Sequence, residues 1–341
     1  MKLNRLLIVC VAGSAIAFGA DTTPGLLKQF APLPEVMTSE SNPVTSAKIQ
    51  LGRMLYYEPR LSRAHDVSCN TCHPLNRYGA DGESVSTGFK GLKGGRNAPT
   101  VYNAAGHFVQ FWDGRAPDVE EQAKGPVMNP VEMAMPSEQQ AVAVLSSMPG
   151  YVQAFGKAFP GEKDPVTFDN MAKAIGAFER GLVTPARWDR YLRGDENALT
   201  APEKTGLKKF VSAGCASCHN GAYVGGQQYQ KLGVAQRWDD DSDTGRFKIT
   251  KSDADRQVFK VPSLRNIEKT GPYFHNGKVS SLDQAVELMA RHELGRNLTT
   301  QDKGDILTWL NTLTGEIPLD YIREPQLPKS TARTPKPDLT D

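Results

Sequence analysis

The sequence predicts an all-α chain folded as two similar domains in tandem, and three observations predict it. Apolar residues recur at helical spacing in several separate stretches. A Cys-x-x-Cys-His unit occurs twice, as Cys69-Asn70-Thr71-Cys72-His73 and Cys215-Ala216-Ser217-Cys218-His219. A second block also recurs: Ala98-Pro99-Thr100-Val101-Tyr102-Asn103 resembles Val261-Pro262-Ser263-Leu264-Arg265-Asn266. At the same offset Phe111-Trp112-Asp113-Gly114 falls on Phe274-His275-Asn276-Gly277. Two Pro-x-x-x-Asn segments could coincide by chance, but a duplicated domain is the simplest account. A length of 341 residues agrees with two domains.

In chain order, the first element is an export signal over residues 1–20. Met1-Lys2-Leu3-Asn4-Arg5 supplies positive charge, residues 6–12 are apolar, and 13–20 are rich in small residues. The apolar run is shorter than the ~20 residues of a spanning helix, and no later stretch could span a bilayer. A lipoprotein reading at Cys10 is opposed by the bulk of Val9. The mature protein is expected in the periplasm.

Ile49, Met54 and Leu55 mark a helix before the first Cys unit. Phe168, Met171, Ile175, Phe178 and Leu182 mark a longer one after it. Residues 185–194 bridge the halves, so the domains are expected over 21–184 and 185–320. Leu207, Phe210 and Val211 lead into the second Cys unit. The Cys units repeat at a shorter offset than the second block, so the second half needs a longer loop, placed at 225–260. Ser281 caps a helix carrying Leu282, Ala285, Val286 and Met289. Ile306, Leu307, Leu310 and Leu313 form the last helix. Beyond Pro318 the Pro-, Lys- and Thr-rich chain reads as an extended or disordered arm over 321–341.

Five cysteines less Cys10 leave four, all in the two units. An exported chain could pair them as disulfides, and Cys with His could hold zinc. A His directly after each pair is instead the haem-attachment signature. Cys69 and Cys72, and Cys215 and Cys218, would bond two covalently bound haem c groups, with His73 and His219 as iron ligands. The expected fold is therefore two cytochrome c-like haem domains in tandem. A net charge of +2 without a long basic run argues against nucleic acid as a partner.

Further stretches carry a family resemblance: Leu51-Gly52 through Tyr57, Gly95-Arg96-Asn97-Ala98-Pro99-Thr100, Gln110-Phe111-Trp112-Asp113-Gly114-Arg115, Gln122-Ala123-Lys124-Gly125-Pro126, Tyr273-Phe274-His275 and Leu313-Thr314-Gly315-Glu316-Ile317-Pro318. With the Cys units, they make the chain resemble the bacterial di-haem cytochrome c peroxidases over nearly all of its mature length. The resemblance implies reduction of hydrogen peroxide to water with electrons from a small c-type cytochrome or cupredoxin, usually by a homodimer. Electrons would enter at the C-terminal haem and pass to the N-terminal one.

The resemblance also implies residue roles. Met289 matches the second ligand of the electron-entry haem, although a helical Met is ordinarily core. His292, three residues on, is a competing ligand expected to be exposed. Glu132 matches the catalytic glutamate and Gln122 a glutamine that hydrogen-bonds bound oxygens; read alone, each is a solvated polar side chain. Trp112 matches a tryptophan between the haems. Asn97, Thr270 and Pro272 match the ligands of a calcium ion, and oxygen ligands suit that cation. Phe89 stands where many members carry a displaceable histidine ligand, and Phe cannot bind iron. The first iron is then open, or closed by another side chain. His107 is the nearest candidate, though a surface or supporting role is favoured for it, and Met128 is a weaker one. A two-haem electron carrier would not need Glu132. The related enzyme that builds a tryptophan-derived cofactor has Tyr at the Met289 position. A peroxide sensor without turnover stays open.

Overall fold

The computed structural model describes residues 23–340; the expected export signal lies outside them. The described residues are rich in helix: α1 Thr23–Leu27, α2 Ser46–Tyr56, α3 Cys69–Cys72, α4 Val119–Met128, α5 Glu138–Ser146, α6 Pro149–Ala158, α7 Phe168–Glu179, α8 Arg187–Leu192, α9 Ala201–Ala213, α10 Phe247–Thr250, α11 Leu282–Leu294 and α12 Thr300–Leu310. Two short strands, β1 Tyr229–Lys231 and β2 Val258–Lys260, pair antiparallel within the long loop of the second half. No described helix is long and apolar enough to cross a membrane.

Two helix pairs organise two separate apolar cores. In the first, α2 packs on α7, burying Leu51, Leu55, Met171, Ile175 and Phe178. In the second, α9 packs on α12, burying Leu207, Phe210, Ile306, Trp309 and Leu310. Each pair meets at a glycine. A Cβ on Gly52 would overlap the Ala174 carbonyl, and one on Gly206 would overlap that of Asp305. Only hydrogen lets the helix backbones approach this closely.

The recurrent block repeats in backbone detail. Asn103 and Asn266 both take left-handed conformations and open single 3-10 turns. Phe111 and Phe274 both have positive φ, 64° and 66°. The two asparagines converge: Asn103 Nδ2 donates to Thr184 Oγ1 at 2.8 Å and Asn266 Nδ2 donates to the same oxygen at 2.9 Å. One buried hydroxyl between the halves thus terminates both copies of the motif.

The chain ends cross over. Phe30, near the N-terminus, packs in the second core against Trp188 and Trp309. The C-terminal arm returns to the first half, where Ile322 joins the first core. Tyr321 stacks on Phe178 with centroids 5.2 Å apart, Tyr57 Oη donates to Ile322 O at 2.6 Å, and Asp338 pairs with Arg63 at 2.9 Å. The arm is extended and fastened along its length, which overturns its disordered reading. Its backbone groups find partners on first-half side chains, and Tyr321 and Ile322 find apolar cover.

Candidate functional site

The two cores leave a largely apolar cavity of 590 Å³ between them, lined from both halves. It brings Cys72, His73, Gln122 and Glu132 from the first half together with Cys215, Cys218, His219 and Met289 from the second. Cys69 lies just behind the wall, packed against the first core.

Both Cys-x-x-Cys-His units present their histidines alike. In the first, α3 is one turn, with Ser68 N–H donating to Thr71 Oγ1 at 3.0 Å. The His73 N–H donates to Cys69 O at 2.9 Å, and the His219 N–H to Cys215 O at 3.0 Å. His73 Nδ1 donates to Gly79 O at 3.2 Å and His219 Nδ1 to Val224 O at 3.4 Å. Committing Nδ1 fixes the tautomer and leaves Nε2 as a lone-pair donor, the usual orientation device for a metal-bound histidine. Burial lowers both histidines, His219 to about 4, so both are neutral as ligation requires. All four cysteines are free thiols, which sets aside the disulfide alternative.

The halves differ in what each contributes to the cavity wall. Met289 projects from α11, which Ser281 caps by accepting from the Gln284 N–H at 3.2 Å. His292 is 4% exposed and absent from the cavity wall. Its Nδ1 meets Gln236 O at 3.0 Å, and its ring packs edge-on against Trp238. This corrects the expectation of an exposed His292: the long loop folds over that face of α11. In the first half, Asn129 Nδ2 donates to Glu132 Oε1 at 2.7 Å. Burial raises the Glu132 carboxyl above its ordinary range, against the opposing pull of Arg115 and Asn129.

Phe89 is buried yet absent from the cavity wall. Its ring lies under the Arg63 guanidinium, 5.3 Å from the centroid, and its N–H donates to Glu132 O at 2.8 Å. Phe89 therefore anchors the loop beside Glu132 instead of covering the cavity. His107 is half-buried, with its Nε2 shielded from solvent. It lines the cavity at the seam, edge-on to Tyr223, with Lys260 Nζ 3.4 Å from its Nδ1. Met128 packs into the first core, outside the cavity wall.

Trp112 stands where the halves meet. Its Nε1 donates to Asn97 O at 2.9 Å, its carbonyl accepts from the Lys260 N–H at 2.8 Å, and its ring is edge-on to His275 at 6.4 Å. Asn97, Thr270 and Pro272 also line this cavity. Asn97 Nδ2 donates to Glu83 O at 2.9 Å, which leaves its Oδ1 available. Among the described residues no cluster of three or more His, Cys, Asp or Glu side chains could hold a metal.

Sequence reasoning missed Lys260. A lysine in Phe-Lys-Val reads as solvated, yet it is 7% exposed on the cavity wall and lowered by burial to about 8. Its strand partner Tyr229 lies in a loop whose pairing the sequence did not signal.

The profile of the family described as Di-haem cytochrome c peroxidase matches residues 46–197. The cytochrome c551 peroxidase of Pseudomonas aeruginosa is 46% identical over 314 residues, covering 90% of each chain. That of Nitrosomonas europaea is 46% identical over 296 residues, covering 86% of this chain and 87% of that one. A solved MauG-like protein associated with microbial copper homeostasis superposes with a TM-score of 0.75 at 29% identity, over 89% of this chain and 97% of that one.

Proposed function

Because the chain belongs to the di-haem cytochrome c peroxidase family, we propose that it reduces hydrogen peroxide to water with two electrons from a small c-type cytochrome or cupredoxin. The observation that carries this reading is one cavity lined by two like-oriented histidines, a thioether from the second half and a buried carboxyl from the first.

The residues fit two haems. Free thiols stand beside each histidine, Nδ1 is occupied, Nε2 is unencumbered, and the cavity between is apolar. Cys69, Cys72 and His73 would hold one haem; Cys215, Cys218, His219 and Met289 would hold the other. Bound haem supplies iron that exchanges single electrons, and a thioether ligand raises its potential relative to two histidines.

The remaining chemistry belongs to side chains. Reducing HOOH to two waters consumes two electrons and two protons. Glu132, as a carboxylate, takes a proton from one peroxide oxygen and returns it to the other, so that the departing oxygen leaves as water. The Asn129 amide and the Phe89 loop hold it in place. Gln122 offers its amide to the bound oxygens from α4. Trp112 spans the seam and shortens the electron path from the second half to the first. Asn97 Oδ1 and the carbonyls of Thr270 and Pro272 are proposed to hold one calcium ion across that seam, and the enzyme is proposed to work as an exported, periplasmic homodimer.

The test is turnover of peroxide with reduced cytochrome c, alongside electron paramagnetic resonance of the oxidised and half-reduced protein. Steady turnover with one methionine-ligated centre and one open centre is expected. Two centres capped on both sides in every oxidation state, with no turnover, would leave only an electron carrier.

A further inference from the structure

Lys260 and His107 are polar groups at the seam that the peroxide chemistry does not use. Lys260, at the end of β2, is 7% exposed. Its Nζ donates to Val109 O at 3.1 Å and lies 3.4 Å from His107 Nδ1. No carboxylate of the described residues lies within ion-pair distance of it. Asp113, the acidic group that supports its charge from farther off, is committed to Arg96 at 2.6 Å and Arg115 at 3.0 Å. A buried cation without an anion is costly.

His107 completes the arrangement. Its Nδ1 accepts from Lys260, which makes the ring neutral with its proton on Nε2. Burial and the neighbouring cation both lower it, in the same sense. That Nε2–H is shielded from solvent and has no protein partner. Its place is built: a Cβ on Gly226, where φ is +74°, would lie 2.5 Å from His107 Cδ2. Phe108 N–H donates to Gly226 O at 3.1 Å to hold the two segments together. Lys260 and His107 thus share a cavity wall, and the ammonium, held by Val109 O and His107 Nδ1, keeps a third donor for an anionic acceptor.

We propose that Lys260, oriented by His107, is a carboxylate-binding group that anchors a haem propionate at the seam between the halves. This rests on the haem reading above. A propionate supplies an acceptor oxygen and one negative charge, matching the ammonium as a charge-assisted partner. Lys260 then stabilises the electron-rich reduced state of the haem whose propionate it holds, as a positioning and tuning residue.

The experiment is spectroelectrochemical titration of the holoprotein, with pyridine haemochrome counts on every sample. Wild type without two haems per chain would sink the underlying reading, not this one. With haems present, Lys260→Met is expected to lower the potential of one haem by about tenfold in its reduction equilibrium, ~59 mV for one electron, and to leave the other in place. Lys260→Arg, which keeps the charge, should recover most of that shift. His107→Leu, a second variant should Lys260→Met fail to load haem, should shift the same haem in the same direction by less. The wild-type potential should not depend on added acetate or chloride. Unmoved potentials in both Lys260→Met and His107→Leu, equal shifts in the Arg and Met variants, or a potential that tracks acetate concentration would each overturn the proposal.

Discussion

At Glu132, the proposed proton carrier, the environment sets when the carboxyl can act. Burial raises its pKa, so the carboxylate form is lost at a higher pH than for a solvated glutamate. Peroxide turnover should therefore fall as pH drops through a limb above the ordinary carboxylate range. Glu132→Gln should abolish that limb and lower kcat by roughly 10²- to 10⁴-fold with both haems attached; stopped-flow turnover across pH would reveal a near-normal variant. Met289→His should lower the potential of the second haem, since a thioether favours the reduced state more than imidazole does; potentiometry reads it, and an unchanged value would remove Met289 from the iron. The residues proposed to bear haem stood out in sequence because covalent attachment needs contiguous Cys and His. Lys260 and His292 did not: Lys260 is covered by His107, Val109 and Trp112 of the first half and His292 by the long loop at Gln236 and Trp238, and no local pattern records either.

Among the elements, helix spacing carried most of the information. Phe168, Met171, Ile175 and Phe178 fall on one helix as their period requires, while Leu182 lies beyond its end because the chain turns at Gly181 to reach Thr184. The β1–β2 pair was illegible because strands of three residues carry no measurable alternation. The arm was ambiguous for a related reason. Proline-rich polar sequence forbids a helix but does not say whether a surface awaits it. Here Ile322 enters the first core, 5% exposed, so Ile322→Ala should cost ~2–5 kcal/mol, read as a lower denaturant midpoint. A change within error would show that the arm only rests on the surface.

For the whole molecule, Thr184 is the point where duplicated motifs meet. Thr184→Val removes the oxygen that both asparagines use and leaves two buried amides short of an acceptor, at ~1–3 kcal/mol each. Calorimetry should show one unfolding transition at a lower temperature; two transitions would mean that the halves melt independently. Dialysis against a calcium chelator should lower turnover and thermal stability together if Asn97, Thr270 and Pro272 hold the ion, and a protein indifferent to it has no such site. The duplication was visible in sequence through its Pro-x-x-x-Asn block, but the shared hydroxyl was not, since it belongs to neither copy.

The crossed termini bear on how the molecule is made. A chain that emerges N-terminus first presents its first lobe with a missing strip, because Tyr321 and Ile322 follow both halves in sequence. If Cys69 and Cys72 take haem as proposed, they can do so while that lobe is still open, and the arm then closes it like a drawn cord.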